Sequence, residues 1–305
     1  MSAILGDPMT RCGFVAVLGA PNAGKSTLVN RAVGQKVSIV SPKVQTTRNR
    51  VLGIVNRDTA QIVLMDTPGI FTPKRRLDRA MVAAAWGGAA DADAVVLIVD
   101  AARKSFDEET RAIIAGLKQQ KRPAILVLNK IDIVKPERLL ALTAELNAEG
   151  DFTDTFMISA ESGDGVDDLL DALAARMPEG PHHFPEDQVT DAPMRLLAAE
   201  ITREHLFRQL RQELPYALTV ETDSWEEFDD GSAKIQQTIF VARDSQKAIV
   251  VGKGGERIRS VREAAQHELQ GLMERKVHLF LFVKVRENWA DDPERYRAIG
   301  LEWEK

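Results

Sequence analysis

A glycine-rich stretch at residues 19–26 directly follows the apolar run Phe14–Leu18, and its sequence is Gly19-Ala20-Pro21-Asn22-Ala23-Gly24-Lys25-Ser26. The stretch matches G-x-x-x-x-G-K-[ST], the loop that wraps nucleotide phosphates between a strand and a helix. Loop N–H groups and the start of the following helix stabilise the phosphate charge. Lys25 adds a cation, the Ser26 hydroxyl is expected to bind Mg²⁺, and Thr27 completes the predicted site.

Short apolar runs alternate with helical patterns along the first half of the chain. The strand candidates are Phe14–Leu18, Ile62–Met65, Ala94–Val99, Ala124–Leu128 and Thr155–Ile158. Their continuous apolarity is typical of strands covered on both faces. Another run, Val51–Val55, is predicted to form an antiparallel hairpin with the next strand. The pattern predicts an α/β P-loop NTPase domain over residues 11–178, with a doubly wound, mostly parallel sheet.

Three motifs at later strand ends indicate which nucleotide binds. Asp66-Thr67-Pro68-Gly69, followed by Ile70, places a carboxylate near Mg²⁺ and a glycine where a γ-phosphate could be sensed. In Asn129-Lys130-Ile131-Asp132, the last carboxylate can accept from the N1–H and amine of guanine, a donor pair that adenine lacks. Ser159-Ala160 offers a backbone N–H to the guanine carbonyl. We therefore expect GTP and GDP to bind at the carboxyl ends of the strands.

A threonine-containing segment, Val44-Gln45-Thr46-Thr47-Arg48, lies between the loop helix and the hairpin. One threonine hydroxyl is expected to join the Mg²⁺ shell only while a γ-phosphate is present, which would make the segment a nucleotide switch. The sequence does not decide between Thr46 and Thr47. Both are predicted as metal and catalytic residues, and the other predicted catalytic residues are Lys25, Asn22 and Gly69.

The second half of the chain has a different pattern. Residues 179–193 lack periodicity and contain several prolines, which predicts an interdomain linker. The elements expected next are a helix at Met194–Leu214, strands at Tyr216–Val220 and Ile235–Val241, helices near residues 245–250 and 256–273, and a strand at Val277–Val285. The acidic stretch Glu221–Asp230 is predicted to be a solvated loop. This order predicts an α+β domain over residues 194–286, followed by a tail at 287–305.

A G-x-x-G loop, Gly252-Lys253-Gly254-Gly255, lies between the two later helices. Small residues allow phosphates to approach, and nearby cations could neutralise them. The cations predicted to contact RNA are Lys247, Lys253, Arg257 and Arg259. The loop and the order of elements around it resemble a type II KH domain, whose loop clamps about four single-stranded nucleotides.

Residues 11–178 resemble the G domain of translation-factor-related GTPases, with all the motifs in that family's order. A G domain followed by a type II KH domain resembles the bacterial Era GTPases. This resemblance extends to Leu214-Pro215-Tyr216, Val277-His278-Leu279 and Trp289-Ala290-Asp291-Asp292. It implies binding near the 3′ end of 16S rRNA, a role in assembly of the small (30S) ribosomal subunit and in rRNA maturation, and some peripheral association with the inner membrane.

Two residues of the predicted GTP site bear on hydrolysis. Ile70 follows Gly69, so the glutamine that orients water in Ras-like enzymes is missing and we expect slow, Mg²⁺-dependent turnover. Asn22 matches an asparagine that coordinates K⁺ in related enzymes, so K⁺-stimulated turnover is a hypothesis. An alternative is an RNA-binding placeholder whose affinity is set by GTP or GDP, with hydrolysis incidental. An ATP-driven RNA remodeller conflicts with Asn129 and Asp132.

Composition excludes several classes of protein. The 305 residues are 44% apolar and 28% charged, which is ordinary for a globular chain. A net charge of −5 gives no general attraction to nucleic acid, and no DNA binding is expected. Cys12 is the chain's one cysteine, so no internal disulfide is possible, and it is predicted to be buried. We expect a cytoplasmic monomer.

Overall fold

The computed structural model describes residues 9–41, 43, 46–48, 50–73, 76–103, 108–211 and 214–287. The chain forms two compact units: residues 1–37 with 47–191, and residues 38–46 with 192–305. The chain therefore leaves the first unit after Val37, contributes a short segment to the second, and returns at Thr47. Of the sequence predictions, Val44, Gln45, Trp289-Ala290-Asp291-Asp292 and all but the first residue of the tail lie outside the described residues.

The first unit contains a six-stranded sheet in the order β2-β3-β1-β4-β5-β6. Its strands are β1 (Arg11–Leu18), β2 (Val51–Arg57), β3 (Ala60–Asp66), β4 (Ala94–Asp100), β5 (Ala124–Asn129) and β6 (Phe152–Ile158). All neighbours are parallel except β2 and β3, which form the predicted antiparallel hairpin. The doubly wound, mostly parallel sheet is confirmed.

Among the described residues of this unit, the α-helices beside the sheet are α1 (Lys25–Val33), α2 (Arg76–Asp91), α3 (Glu108–Gln119), α4 (Pro136–Glu149) and α5 (Val166–Arg176). Most residues of the apolar runs in β1, β3, β4 and β5 are buried as predicted, and Leu97, Ile98 and Leu126 have no exposed surface. The run Thr155–Ile158 differs, because β6 is an edge strand and only Ile158 of the run is buried. Burying each such side chain contributes about 1.5–3 kcal/mol. Cys12 is also buried. Because these strands are packed on both faces, the loops at their carboxyl ends start from a fixed scaffold.

The segment predicted as a linker, residues 179–193, differs from expectation because most of it belongs to the first unit. It runs beside the edge strand β2, where the Ile54 N–H donates to the Val189 carbonyl at 2.9 Å. The Gln61 carboxamide accepts from the His183 N–H at 2.9 Å. An edge strand leaves backbone donors without a ladder partner, and this segment supplies acceptors for them.

The second unit contains a three-stranded sheet in the order β7-β8-β9, with β7 antiparallel to β8 and β8 parallel to β9. Its elements are α6 (Met194–Gln209), β7 (Leu218–Glu227), β8 (Ala233–Val241), α7 (Asp244–Val251), α8 (Glu256–Met273) and β9 (Val277–Val285). The predicted order of helix, strand, strand, helix, helix, strand is confirmed. The first helix ends earlier than predicted, and Leu214–Ala217 forms a separate short turn.

The acidic stretch predicted as a loop is mostly strand, so that prediction is wrong for residues 221–227. β7 continues through it and pairs with β8 as far as Glu227. Cations on neighbouring elements balance the charge, since Lys234 lies 3.1 Å from Glu226 and Arg275 lies 2.8 Å from Glu227. Cross-strand pairs of this kind stabilise an exposed sheet face even where the sequence looks too acidic for a strand.

Candidate functional site

The glycine-rich loop joins the end of β1 to the start of α1, as the strand–loop–helix pattern predicts. Gly24 has a φ of +104°, a conformation that only glycine adopts readily. A Cβ at this position would lie 2.1 Å from Nδ2 of Asn129. Asn22 also has a positive φ, of +64°. The second glycine of the motif is therefore required both by the backbone and by a neighbouring side chain.

Lys25 is buried and its ammonium group lies inside the loop. Its Nζ donates to the carbonyls of Gly19 and Ala20, both at 3.0 Å. Burial lowers the pKa of this lysine to about 8, against the opposing attraction of Asp66. The cation is therefore held on the loop's own carbonyls, at the position from which it would contact phosphate oxygens.

Ser26, Thr47 and Asp66 form a cluster of oxygen atoms beside the loop. The Ser26 hydroxyl donates to Oδ2 of Asp66 at 2.7 Å and lies 3.0 Å from the Thr47 hydroxyl. Asp66 has no exposed surface and Thr47 is 7% exposed. One carboxylate and two hydroxyls suit Mg²⁺, which prefers oxygen ligands and commonly takes others from substrate phosphates. The cluster fits a magnesium ion that is bound together with a nucleotide.

The structure separates the two threonines that the sequence left open. The Thr46 hydroxyl donates to the Lys43 carbonyl at 2.7 Å, within the second unit. Thr47 is the residue beside Ser26 and Asp66. The geometry therefore favours Thr47 as the threonine for the metal and does not bring the Thr46 side chain to the cluster.

Asn129 connects two of the predicted motifs through buried hydrogen bonds. Its Nδ2 donates to the Ala23 carbonyl at 2.9 Å, and its Oδ1 accepts from the Ala160 N–H at 2.9 Å. This amide therefore fixes the phosphate loop to the Ser159-Ala160 turn. Sequence reasoning missed Arg31, whose guanidinium holds the same turn by donating to the Ala160 carbonyl at 3.2 Å. The spacing of Arg31 within α1 gave no signal for this contact.

Asp132 is exposed, in the short turn Ile131–Ile133 that follows β5. Its carboxylate makes no hydrogen bond or ion pair with the part of the chain that the structure describes, which leaves it available to a ligand. Lys130 beside it donates to Oδ2 of Asp100 at 2.6 Å. Asp100 was not predicted, although its place at the end of β4 is the signal that identified the other motifs.

The Asp66 motif places its remaining residues around the phosphate loop. The Thr67 hydroxyl donates to the Val17 carbonyl at 2.8 Å, so this threonine supports the loop's strand. Pro68 is buried beside it. A Cβ on Gly69 would lie 3.1 Å from Pro21. The Ile70 N–H donates to the Gly19 carbonyl at 3.3 Å, and its side chain is 5% exposed. The buried Ile70 side chain cannot orient water.

The pKa of Lys25 predicts how nucleotide affinity depends on pH. A lowered pKa means that the Lys25 ammonium of the free protein loses its proton as the pH rises through 8. Because an anionic ligand binds the protonated form, binding above this pH must take up a proton. Affinity for GDP should therefore be nearly constant below pH 7.5 and fall by about fivefold between pH 8 and 9. A fluorescent GDP analogue titrated from pH 6.5 to 9.0 measures this.

Lys25→Arg is the control for that titration, because a guanidinium remains protonated over the whole range. Its binding should be weaker but without the break near pH 8. An identical break in both proteins would assign it to another group, such as the guanine base. The same shift makes the nucleotide-free fold more stable as the pH rises from 8 toward 10.5, since the unfolded lysine still binds its proton.

In the second unit, the G-x-x-G loop connects α7 to α8. Gly254 has a φ of +59°, and a Cβ there would meet nothing within 4 Å. Gly252 and Gly255 also have positive φ. The predicted cations Lys247, Lys253 and Arg259 are exposed. Arg257 is half-buried and donates to the Ile249 carbonyl, so it also fixes the loop's geometry.

A groove of about 530 Å³ lies beside this loop within the second unit. It is lined by Gln209, Leu210, Arg211, Leu214, Gln246, Ile249 and Arg257. Ile249 is 50% exposed, so an apolar surface lies next to cations. Such a combination can accept a nucleobase together with its phosphate. Sequence reasoning identified only Arg257 of this set, because the others come from three separate elements.

Family models match both parts of the chain. Residues 14–130 match a family model described as a 50S ribosome-binding GTPase, and residues 213–290 match one described as a KH domain. GTPase Era of Afipia carboxidovorans is 62% identical over 97% of this chain and 96% of its own length. The chain belongs to the Era GTPase family. GTPase Era of Mesorhizobium japonicum is 61% identical over 97% of this chain and 95% of its own length.

Solved Era structures have the same fold. One is a crystal structure of Era in complex with MgGDPNP and nucleotides 1506–1542 of 16S ribosomal RNA, and another shows a variant of Aquifex aeolicus Era bound to GDP·AlF4⁻. Each is 38% identical, has a TM-score of 0.90, and covers 96% of this chain and 100% of the other. As an Era family member, the chain is a GTPase with a P-loop domain followed by a KH domain. Within the described ranges, no helix is long and apolar enough to cross a membrane.

Proposed function

We propose that this Era family GTPase is a Mg²⁺-dependent switch that binds the 3′ region of 16S rRNA through its KH domain and acts in assembly of the 30S subunit and in rRNA maturation. The supporting observation is the joint presence, in one chain, of the Ser26–Thr47–Asp66 cluster and an open glycine loop flanked by exposed cations. The Era relative crystallised with MgGDPNP and a 16S rRNA segment provides the probe that tests the proposal.

Each part of the nucleotide site has a role in the proposed reaction. Loop N–H groups and Lys25 bind the phosphates, and Ser26, Thr47 and Asp66 hold Mg²⁺, which when bound neutralises charge on the transferring phosphoryl group. Asp132 selects guanine, and Asn129 fixes the Ala160 turn by accepting from the Ala160 N–H. Because the buried Ile70 cannot orient water, turnover by the chain alone is slow. K⁺ held near Asn22 is part of the proposal as a substitute for an arginine finger.

An RNA-binding placeholder remains the second candidate, and the same buried Ile70 favours it. In that case GTP and GDP set RNA affinity and hydrolysis is incidental. GTP hydrolysis measured in K⁺ buffer with Mg²⁺, with and without RNA of nucleotides 1506–1542, distinguishes the two. Strong stimulation by RNA supports the switch, whereas tight binding with unchanged turnover supports the placeholder.

Gly254→Asp should reduce affinity for this RNA by about 10- to 100-fold, because it places a negative charge where phosphates approach. The position is open and aspartate tolerates a positive φ, so the domain should still fold. Fluorescence anisotropy with labelled RNA measures the change. GTP-analogue affinity without RNA should be unaltered.

Gly254→Asn is the matched control, since it has the same shape and backbone tolerance without the charge. It should retain most of the RNA affinity, and the difference between the two variants should shrink at high salt. Equal and wild-type affinity in both variants would contradict RNA binding at this loop.

The proposed location is the cytoplasm, with peripheral association with the inner membrane, and the proposed oligomeric state is a monomer.

A further inference from the structure

Arg203 is a buried cation that the nucleotide and RNA sites leave unexplained. It lies on α6 and is 1% exposed. Its Nε donates to Oε1 of Glu200 at 2.8 Å, and its guanidinium lies 5.0 Å from the ring centre of Phe207. Arginine is rarely buried to this extent unless its charge is paired and its donors are used. The Glu200 carboxylate neutralises the charge of Arg203 but does not accept from all of its N–H groups.

One further donor of Arg203 reaches segment 38–46. Nη2 donates to the main-chain carbonyl of Thr46 as well as to Glu200. Nη1 has no hydrogen-bond partner among the described residues. If the segment moved away, the Nη2 N–H that donates to the Thr46 carbonyl would lose its acceptor while remaining buried. The free-energy cost of this loss is larger than that of breaking a hydrogen bond in contact with solvent. The Arg203 environment therefore favours one position of Thr46.

A second cation holds the same segment on the same helix. Lys43 donates through Nζ to the carbonyls of Phe207 and Leu210, where α6 ends. A positive charge is favourable at a helix C-terminus, because the last carbonyls lack partners. Leu210 also lines the groove to which Arg257 of the G-x-x-G loop contributes. The segment is thus attached to the part of the second unit that carries the candidate RNA surface.

Thr46 and Thr47 are joined by one planar peptide bond, so the carbonyl held by Arg203 cannot shift without moving the Thr47 backbone. Thr47 places its hydroxyl 3.0 Å from Ser26 in the metal cluster. The threonine that serves the nucleotide is therefore the direct neighbour of the residue that the RNA-binding unit holds. A displacement of either residue must therefore displace the other.

We infer that Arg203 is a positioning residue that couples the two sites: by holding the Thr46 carbonyl it stabilises Thr47 in the Mg²⁺–triphosphate arrangement, and through α6 it transmits that state to the RNA surface. The part of this inference that concerns RNA rests on the proposed function, whereas the part that concerns the nucleotide does not. Because coupling between two ligands is reciprocal, loss of the contact must change both by the same factor.

The test compares the wild-type full chain with Arg203→Met. Affinities for GDPNP and GDP are measured with Mg²⁺ in the absence of RNA, and affinities for RNA of nucleotides 1506–1542 are measured in the presence of each nucleotide. We expect the preference for GDPNP over GDP to fall about tenfold, as for one charge-assisted hydrogen bond. The ratio of RNA affinities in the two nucleotide states should move toward one by the same factor.

Arg208→Met is the matched control, since Arg208 lies on the same helix and pairs with Glu204, while no hydrogen bond or ion pair joins it to the described residues of segment 38–46. Lys43→Met tests the other contact that holds the segment on α6. Arg203→Lys replaces Arg203→Met in the same measurements if the methionine variant has a strongly lowered melting temperature. A folded Arg203 variant with wild-type ratios in both arms would overturn the inference. Wild-type protein that fails to bind the RNA contradicts the proposed function alone, because the nucleotide arm still decides the role of Arg203.

Discussion

Asp132→Asn is expected to lower affinity for GTP and GDP by a hundredfold or more and to raise affinity for xanthosine nucleotides. The carboxylate accepts from two donors of guanine, and each charge-assisted hydrogen bond contributes about 1.5–3 kcal/mol. An asparagine presents one acceptor and one donor, which matches the N1–H and O2 of xanthine. Competition of unlabelled nucleotides against a fluorescent GDP analogue measures both changes.

The location of Asp132 makes this a clean experiment. The residue is exposed and its carboxylate supports no other described part of the chain, so the melting temperature should stay the same. Asp168→Asn, an exposed acid in the first turn of α5, provides the control and should leave nucleotide affinity unchanged. Equal loss for guanine and xanthine nucleotides, with no gain for the latter, would show that this carboxylate does not contact the base.

The strand ends could be predicted from sequence because burial and chemistry coincide there. Each apolar run is continuous, which indicates a strand covered on both faces, and each ends in polar residues that a buried strand would not tolerate. Asp66 and Asn129 were found in this way, and both are buried at their strand ends. A local pattern sufficed because the parallel sheet brings these ends to one edge.

The rest depended on contacts between distant parts of the chain. Segment 38–46 belongs to the second unit although it lies within the first unit's sequence, and its described contacts there use main-chain carbonyls of Phe207, Leu210 and Thr46 as acceptors. Residues 179–193 were predicted as a linker because they lack periodicity, yet the part up to Asp191 belongs to the first unit and its Val189 carbonyl accepts from the edge strand. Backbone acceptors have no signature in a sequence, so neither arrangement could be predicted from residue types.

The same limit applies to the role of Asn129. Sequence reasoning identified it only as part of the motif that selects guanine, whereas its amide joins the Ala23 carbonyl to the Ala160 N–H. These are interactions with main-chain atoms whose positions follow from the fold. The Asn129 amide therefore ties two loops of the nucleotide site to each other, and substitutions should be tolerated least where a loop backbone meets this amide.

Gly24→Ala should reduce GDP affinity by about a thousandfold, the largest effect expected at a single non-charged position. The added Cβ would lie 2.1 Å from Nδ2 of Asn129, well inside contact distance, and the φ of +104° is itself strained for alanine. The loop and the amide cannot both keep their places, so several phosphate-binding N–H groups lose their alignment together. Equilibrium titration with a fluorescent GDP analogue measures the loss.

Gly34→Ala separates backbone strain from collision. Gly34 follows α1 with a φ of +82°, but a Cβ there would meet nothing within 4 Å. This variant should lose about 1 kcal/mol of folding free energy and keep wild-type GDP affinity. If Gly24→Ala bound GDP within tenfold of wild type, the loop would be able to shift away from Asn129 without cost. The hydrogen bond between Asn129 and the Ala160 turn would then not be required for nucleotide binding.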